Sequence, residues 1–447
     1  MGAIWCEAAL LPDGWAPAVR LVLDGPLIAS VERACSPHPT DARCAAALPG
    51  IPNVHSHAFQ RAMAGRAEAP GPSRDDFWSW RDAMYGLVDV VTPEDVAAIA
   101  AMAFVEMIEA GFTRVGEFHY LHHDRDGRPY DEPATMAHAI AAAAMEAGIG
   151  LTLLPVFYAH SSFGGAPPTP MQRRFINDSD TFARLHEGSA TAIERLDGAV
   201  LGIAPHSLRA VMPEELTDLL LIAPQGPVHI HIAEQIAEVD ACRAWSGSRP
   251  VEWLLDSAPV DDRWCLVHAT HVDATELAGM IKARAIVGLC PMTEANLGDG
   301  IFPVATFVEG GGVIGIGSDS NVRIDVAEEL RLLEYGQRLS LRRRNILAHG
   351  IASTGRALLD RASAGGALAL GASEPALSAG APADIVALAP DREGAAGDEL
   401  LDRWIFARGS VDAVWRAGRQ IVQGGRHINR DAVAERFHRT VGRIRAA

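Results

Sequence analysis

The sequence predicts an α/β protein, a (β/α)8 TIM-type barrel flanked by β-rich chain ends. Three observations carry this. Eight short apolar runs alternate with amphipathic or alanine-rich stretches of helical period. Metal-capable side chains stand at the C-terminal end of nearly every run, and a closed parallel barrel gathers such ends at one mouth. Both chain ends lack the alternation and read as short strands joined by turns. An open doubly wound sheet would alternate in the same way but spread its strand ends along an edge. The convergence favours the barrel.

At the N-terminal end, Val19–Leu23 and Leu27–Val31 flank Asp24-Gly25 and predict a hairpin. The eight runs follow: Ile51–Val54, Thr113–Phe118, Leu151–Phe157, Val200–Ala204, Val228–Ile232, Cys265–Val267, Ile286–Cys290 and Val313–Ile316. Helices are expected at Pro93–Ala110, Thr135–Ala147, Pro213–Leu221 and Ala274–Lys282. Thr92-Pro93 supplies an N-cap followed by proline at the first helical position. Gly365–Gly394 is rich in small residues and reads as a connector. Beyond it, Ala383–Leu388 reads as a strand, and Val411–Trp415 with Arg419–Val422 as a second hairpin around Gly418.

The 447 residues carry 39 Lys+Arg against 56 Asp+Glu, a net charge of −17. That sign repels phosphate backbones and anionic lipid, so neither nucleic acid nor membrane is an expected partner. Lys282 is the only lysine; all other basic residues are Arg. The six cysteines form no C-x-x-C pair. They read as reduced thiols of a cytoplasmic protein. The first Arg is Arg20, and Glu7 and Asp13 interrupt the early apolar run, which is not the pattern of a signal peptide. The sequence is compatible with a homodimer but does not fix the assembly.

The first run ends in His55 and His57, spaced so that both imidazoles share one strand face. The second ends in Glu117 and His119, the fourth in His206, the fifth in His231, the sixth in His268 and the eighth in Asp319. Three imidazoles and one carboxylate, His55, His57, His231 and Asp319, suit one divalent ion: Zn²⁺ first, with Fe²⁺ or Mn²⁺ as alternatives. Such a site makes a nucleophile of water near neutral pH. Glu234, three residues after His231, is placed to carry that water's proton to a leaving nitrogen. A bland reading of Glu234 is dipole stabilisation at a helix start. His268 reads either as a core histidine or as a group that orients the nucleophile. His122, His123, His138 and His160 lack strand-end placement and read as loop or surface residues.

The segments Leu48–Gly65, His231–Glu234, Leu266–His271 and Gly315–Ser320 resemble the metal-dependent amidohydrolase superfamily. The β-rich ends resemble its small composite β-sandwich. The resemblance implies residues 1–47 and 369–447 as that sandwich domain and residues 48–368 as the catalytic barrel. It implies metal ligands at His55, His57, His231 and Asp319, with Glu234, His268 and Asp319 catalytic. Binuclear members bridge their metals with a lysine after the fourth strand; this chain has His206 there, which leaves the mononuclear, deaminase-like subtype. Finer motifs resemble the formimidoylglutamate deiminase family of histidine degradation. They are HAFQRAMAG (57–65), FWSWRDAMY (77–85), EFHYLHHD (117–124), HSLRAV (206–211), TEANLGDGIFP (293–303) and EYGQRL (334–339). That family implies substrate contacts at Gln60, Arg81, Tyr120, His206 and Arg209. Two arginines suit a small dicarboxylate, one for each carboxylate. Asn321 stands where the family is expected to carry His.

The expected reaction is therefore hydrolytic deimination of N-formimino-L-glutamate to N-formyl-L-glutamate and ammonia. The alternative is the same chemistry on a purine or another amidine, for which two carboxylate clamps would be out of place. A scaffold that kept the fold and lost the metal is a third reading; the complete set of ligand types argues against it.

Overall fold

The computed structural model describes residues 2–68, 77–348, 350 and 352–446. Four strands open the chain: β1 (Gly2–Leu11), β2 (Gly14–Asp24), β3 (Leu27–Glu32) and β4 (Ala42–Pro49). Nine follow in the middle: β5 (Ile51–Ser56), β6 (Phe112–His119), β7 (Gly150–Phe157), β8 (Val200–Leu201), β9 (Ala204–Pro205), β10 (Val228–Ile232), β11 (Trp264–His268), β12 (Ile286–Leu289) and β13 (Val313–Ile316). The last four are β14 (Ile385–Leu388), β15 (Val411–Arg416), β16 (Arg419–Gln423) and β17 (Arg426–His427).

The chain ends meet in one eight-stranded sheet of order β17-β16-β15-β14-β4-β1-β2-β3. The expected hairpins are there: β2 pairs antiparallel with β3, with Asp24 opposite Leu27, and β15 with β16. The sheet has an apolar residue set on each face. Leu10, Ala46, Leu48, Val386 and Val414 join the main core, while Cys6, Cys44, Ala47, Ile385 and Trp415 form a second cluster. Along β14 the alternation is strict, Ile385 and Ala387 in one cluster and Val386 and Leu388 in the other, as in a strand covered on both sides.

The middle strands form two parallel sheets, β5-β6-β7-β8 with β9 also on β7, and β10-β11-β12-β13. Isolated parallel bridges join them at both margins: Ile203–Val228 and Ser207–His231 on one side, Ser56–Asp319 on the other. Strands β5, β6, β7, β10, β11 and β12 are almost wholly buried, as apolar runs covered on both faces must be. Helices connect them. Pro93–Glu109 starts with the expected device, Thr92 and Asp95 capping each other's backbone N–H.

Three expectations change. The run at 200–204 is split into β8 and β9 at Gly202, where any Cβ would stand 2.4 Å from Pro227 O. The first residues of the expected connector complete the helix Thr354–Ala369. Gly365 and Gly366 are small there because the helix lies directly on β13 and β5: a Cβ on Gly365 would meet Ile314 O at 1.9 Å, and one on Gly366 would touch Pro52. His122 and His123 are buried, not on the surface; each ring bonds a carbonyl, of Val156 and Ile176 respectively. His138 is exposed as expected, and His160 is half-buried against Glu215.

Candidate active site

The first and last strands of the parallel array meet at the metal-capable residues. His57 N donates to Asp319 O and Asp319 N donates to His55 O, both at 2.9 Å. These two backbone bonds bring His55, His57 and Asp319 together. His231 enters from the end of β10. His55 Nε2 lies 3.2 Å from His57 Nε2 and 3.0 Å from His231 Nε2. Asp319 Oδ1 is 3.4 Å from His55 Nε2 and 3.3 Å from His57 Nε2. The four ligand atoms lie within 4.8 Å of one another, and all four residues are buried.

The proton positions favour a cation. His57 Nδ1 is 2.9 Å from Phe118 O and His231 Nδ1 is 3.2 Å from His206 O. A carbonyl can only accept, so each Nδ1 carries the proton and each Nε2 turns a lone pair inward. Burial holds His55, His57 and His231 below the usual histidine range, His55 at about 3, so all three are neutral. Burial pushes Asp319 the other way, but its hydrogen bond with His55 and the charged His268 ring nearby keep its carboxyl well below the usual range. Inward lone pairs and a carboxylate this close together are complementary to a divalent ion.

The loops after the strands turn these side chains inward through left-handed backbone. His268 (φ 69°), Asp319 (φ 46°) and Asn321 (φ 54°) all adopt it. Asn321 is fully buried and stitches the corner. Its Nδ2 donates to Ser56 Oγ, His57 O and Asp319 O at 3.0–3.1 Å, and its Oδ1 accepts from Ser318 Oγ at 2.7 Å.

Glu234 and His268 face each other beside this cluster. His268 Nε2 is 3.8 Å from Glu234 Oε1 and 3.7 Å from Asp319 Oδ2. Its Nδ1 is 3.3 Å from Glu294 Oε1, which also accepts from Cys290 N. Burial pushes the Glu234 carboxyl up to about 7, with His268 opposing and Asp319 and Glu238 adding to the rise. For His268 burial favours the neutral ring, but Glu234, Glu294 and Asp319 outweigh it and push the ring up to about 10.

Of the expected metal, catalytic and substrate residues, all but the fully buried His55 line one cavity. Gln60, Arg81, Tyr120, His206 and Arg209 line it together with His57, His231, Glu234, His268 and Asp319. Gln60 Nε2 donates to Tyr120 Oη at 2.8 Å, while Gln60 Oε1 and Arg209 Nε are buried without a partner. Arg81 stands over the Tyr85 ring, 5.8 Å from its centre. Sequence reasoning missed Tyr85 and Tyr158 on the same wall, and Glu294 and Asp299 behind Glu234 and His268. All but Tyr158 lie in quoted motifs, but no spacing rule distinguishes them from packing residues. His119, expected at a strand end, is buried away from the four ligands, on the outward face of β6 with Glu117.

Residues 46–421 match the model of the amidohydrolase family, and residues 1–45 match the N-terminal domain of formimidoylglutamate deiminase HutF. A formimidoylglutamate deiminase of Pseudomonas aeruginosa is 49% identical over 99% of this chain and 100% of its own. The crystal structure of an amidohydrolase from Brucella melitensis superposes with a TM-score of 0.97 at 55% identity, covering 99% of this chain and 100% of that one. A zinc-bound adenosine deaminase from Xanthomonas campestris shares the fold at a TM-score of 0.81 and 22% identity, covering 100% of this chain and 98% of that one. With a family model across most of its length and a full-length relative at 49% identity, the chain belongs to the amidohydrolase family, among the formimidoylglutamate deiminases.

Proposed function

We propose that this chain hydrolyses N-formimino-L-glutamate to N-formyl-L-glutamate and ammonia, using one divalent cation, Zn²⁺, held by His55, His57, His231 and Asp319. The single observation that carries the reading is one cavity that joins a four-ligand cluster to two arginines. The 49% identical relative supports the substrate. The nitrogen-rich ligand set supports zinc, which the Xanthomonas campestris fold neighbour binds.

When bound, the cation supplies Lewis acidity and makes water a nucleophile at neutral pH. Glu234 takes a proton from the attacking water as its oxygen bonds to the formimino carbon. It returns that proton to the imino nitrogen, then carries the remaining proton of the new hydroxyl to the same nitrogen, so that the C–N bond breaks to release ammonia and the hydroxyl oxygen becomes the formyl carbonyl. A carboxyl near pKa 7 suits both directions of transfer. His268, fixed by Glu294, keeps its Nε2 between Glu234 and Asp319 and orients the attacking oxygen. Arg81 and Arg209 pair with the two substrate carboxylates, helped by Tyr120, His206 and the unpartnered Gln60 Oε1.

Residues 48–368 form a closed (β/α)8 barrel; the parallel bridges at both margins of the two sheets support closure. Residues 1–47 and 369–447 form a composite β-sandwich, supported by the shared sheet and its separate apolar cluster. The cytoplasm is the proposed compartment, supported by six free cysteines. No helix among the described residues is long and apolar enough to cross a membrane.

The decisive experiment measures ammonia release from formimino-glutamate, formimino-aspartate and adenine side by side. Formimino-glutamate should be the best substrate by kcat/KM. Preference for adenine would overturn the assignment.

A further inference from the structure

Asp299 has no part in the reaction as assigned above, yet it stands beside two groups that do. It lies just after the helix Pro291–Leu297 and is only 5% exposed. Its Oδ1 accepts the side-chain amide of Gln235, while Oδ2 is buried with no partner. A carboxylate oxygen of Asp299, one of Glu234 and a ring nitrogen of His268 lie within 4.8 Å of one another. None of the three belongs to the His55, His57, His231 and Asp319 set.

The histidine is prepared as a ligand. Its Nδ1 is tied to Glu294, itself fixed by the Cys290 amide, and its Nε2 faces Glu234. A carboxylate on one imidazole nitrogen is the usual support for metal binding through the other. Four acidic side chains, Glu234, Glu238, Glu294 and Asp299, are buried here. One nitrogen and two carboxylates suit zinc or manganese, and three ligands hold an ion less tightly than four.

We propose that Glu234, His268 and Asp299 form a second, weaker divalent-cation site whose filling stops the reaction. An ion there takes the place of the proton on His268 Nε2 and occupies the Glu234 oxygen. The inhibitory half rests on the proton-carrying role of Glu234 proposed above; the binding half does not.

The test uses the full chain carrying its first ion, dialysed against free Zn²⁺ from micromolar to millimolar. Metal per chain is counted by mass spectrometry, and ammonia release from N-formimino-L-glutamate is followed in parallel. The wild-type protein should pass from one ion to two, with activity falling in step. Asp299→Asn should weaken the second uptake by about tenfold or more and keep the first ion. If Asp299→Asn fails to fold, Glu234→Gln carries the same readout on metal count alone. A wild-type count that stays at one through millimolar zinc would overturn the proposal. So would a second uptake of wild-type affinity in the folded variant. Absence of ammonia release at one ion per chain would instead strike the proposed function, and the metal count would still judge the site.

Discussion

Replacing Asn321 with Ala tests whether the corner between β5 and β13 holds the ligand set together. The change removes an amide that donates to Ser56 Oγ, His57 O and Asp319 O and accepts from Ser318 Oγ. The two amide hydrogens and one acceptor account for about three bonds at about 1 kcal/mol each. The backbone adds to this: φ is 54°, a region Asn tolerates and Ala pays about 1 kcal/mol more to enter. The expected loss is about 4 kcal/mol. At about 2.1 cal/mol/K per residue over 447 residues, the unfolding entropy is roughly 0.9 kcal/mol/K, so the apparent Tm should fall by about 4 °C. Asn321→Gly loses the same bonds but not the backbone preference, so it should melt about 1 °C above the Ala variant. Because the lost bonds support His57 and Asp319, metal affinity should fall by about 10- to 100-fold. Calorimetry of the metal-free protein and a competitive chelator titration give the two readouts. An Ala variant with the wild-type Tm and wild-type metal affinity would refute the reasoning.

Glu234→Gln should lose about 10²- to 10⁴-fold in kcat while keeping its metal, read by steady-state kinetics and metal analysis. Arg81→Met and Arg209→Met should each lose at least about tenfold in kcat/KM on formimino-glutamate, since a charge-assisted bond to a carboxylate is worth about 1.5–3 kcal/mol. One of the two should lose less on an analogue lacking its carboxylate; wild-type efficiency in both would move the purine or amidine alternative ahead. His231→Ala should fail to hold one ion per chain through gel filtration, and full occupancy would count against the ligand set. Glu117 gives a pH signature. Burial pushes its carboxyl up to about 8 from 4.5, although its Oε1 accepts from Ala58 N at 2.8 Å. The native state then holds a proton that the unfolded chain has released between those values, so this group's contribution is intact below about pH 4.5 and lost as pH rises through 8. Glu117→Gln should therefore gain in Tm relative to wild type at pH 8 compared with pH 5; an equal difference at both would reject the assignment.

Seven of the eight apolar runs are single strands to within about two residues, because parallel strands covered on both faces leave an uninterrupted apolar signature. The strand-end polar residues were legible for the same reason: a charged or metal-capable side chain after such a run has few structural uses. Val200–Ala204 broke because a glycine required by a neighbouring carbonyl looks no different in sequence from a flexible one. The helix Thr354–Ala369 was not among those expected, and its end was read as connector because its two glycines serve contact with β13 and β5, against helix propensity. Glu294 and Asp299 were invisible for another reason. Their roles come from distances to His268 across 26 to 31 residues of chain, and no local pattern encodes that separation.

The backbone pairing of His55 and His57 with Asp319 has a consequence for synthesis. The two histidines leave the ribosome more than 260 residues before the aspartate, so a nascent chain that has not yet reached residue 319 holds at most three of the four proposed ligands. The ion can be captured tightly only after β13 has docked beside β5, and tight capture in turn stabilises that docked state by mass action. On the proposed ligand set, metal uptake and the docking of β13 beside β5 are thermodynamically linked. A chain truncated before Asp319 would keep three of the four proposed ligands and should hold a divalent cation more weakly than the full chain.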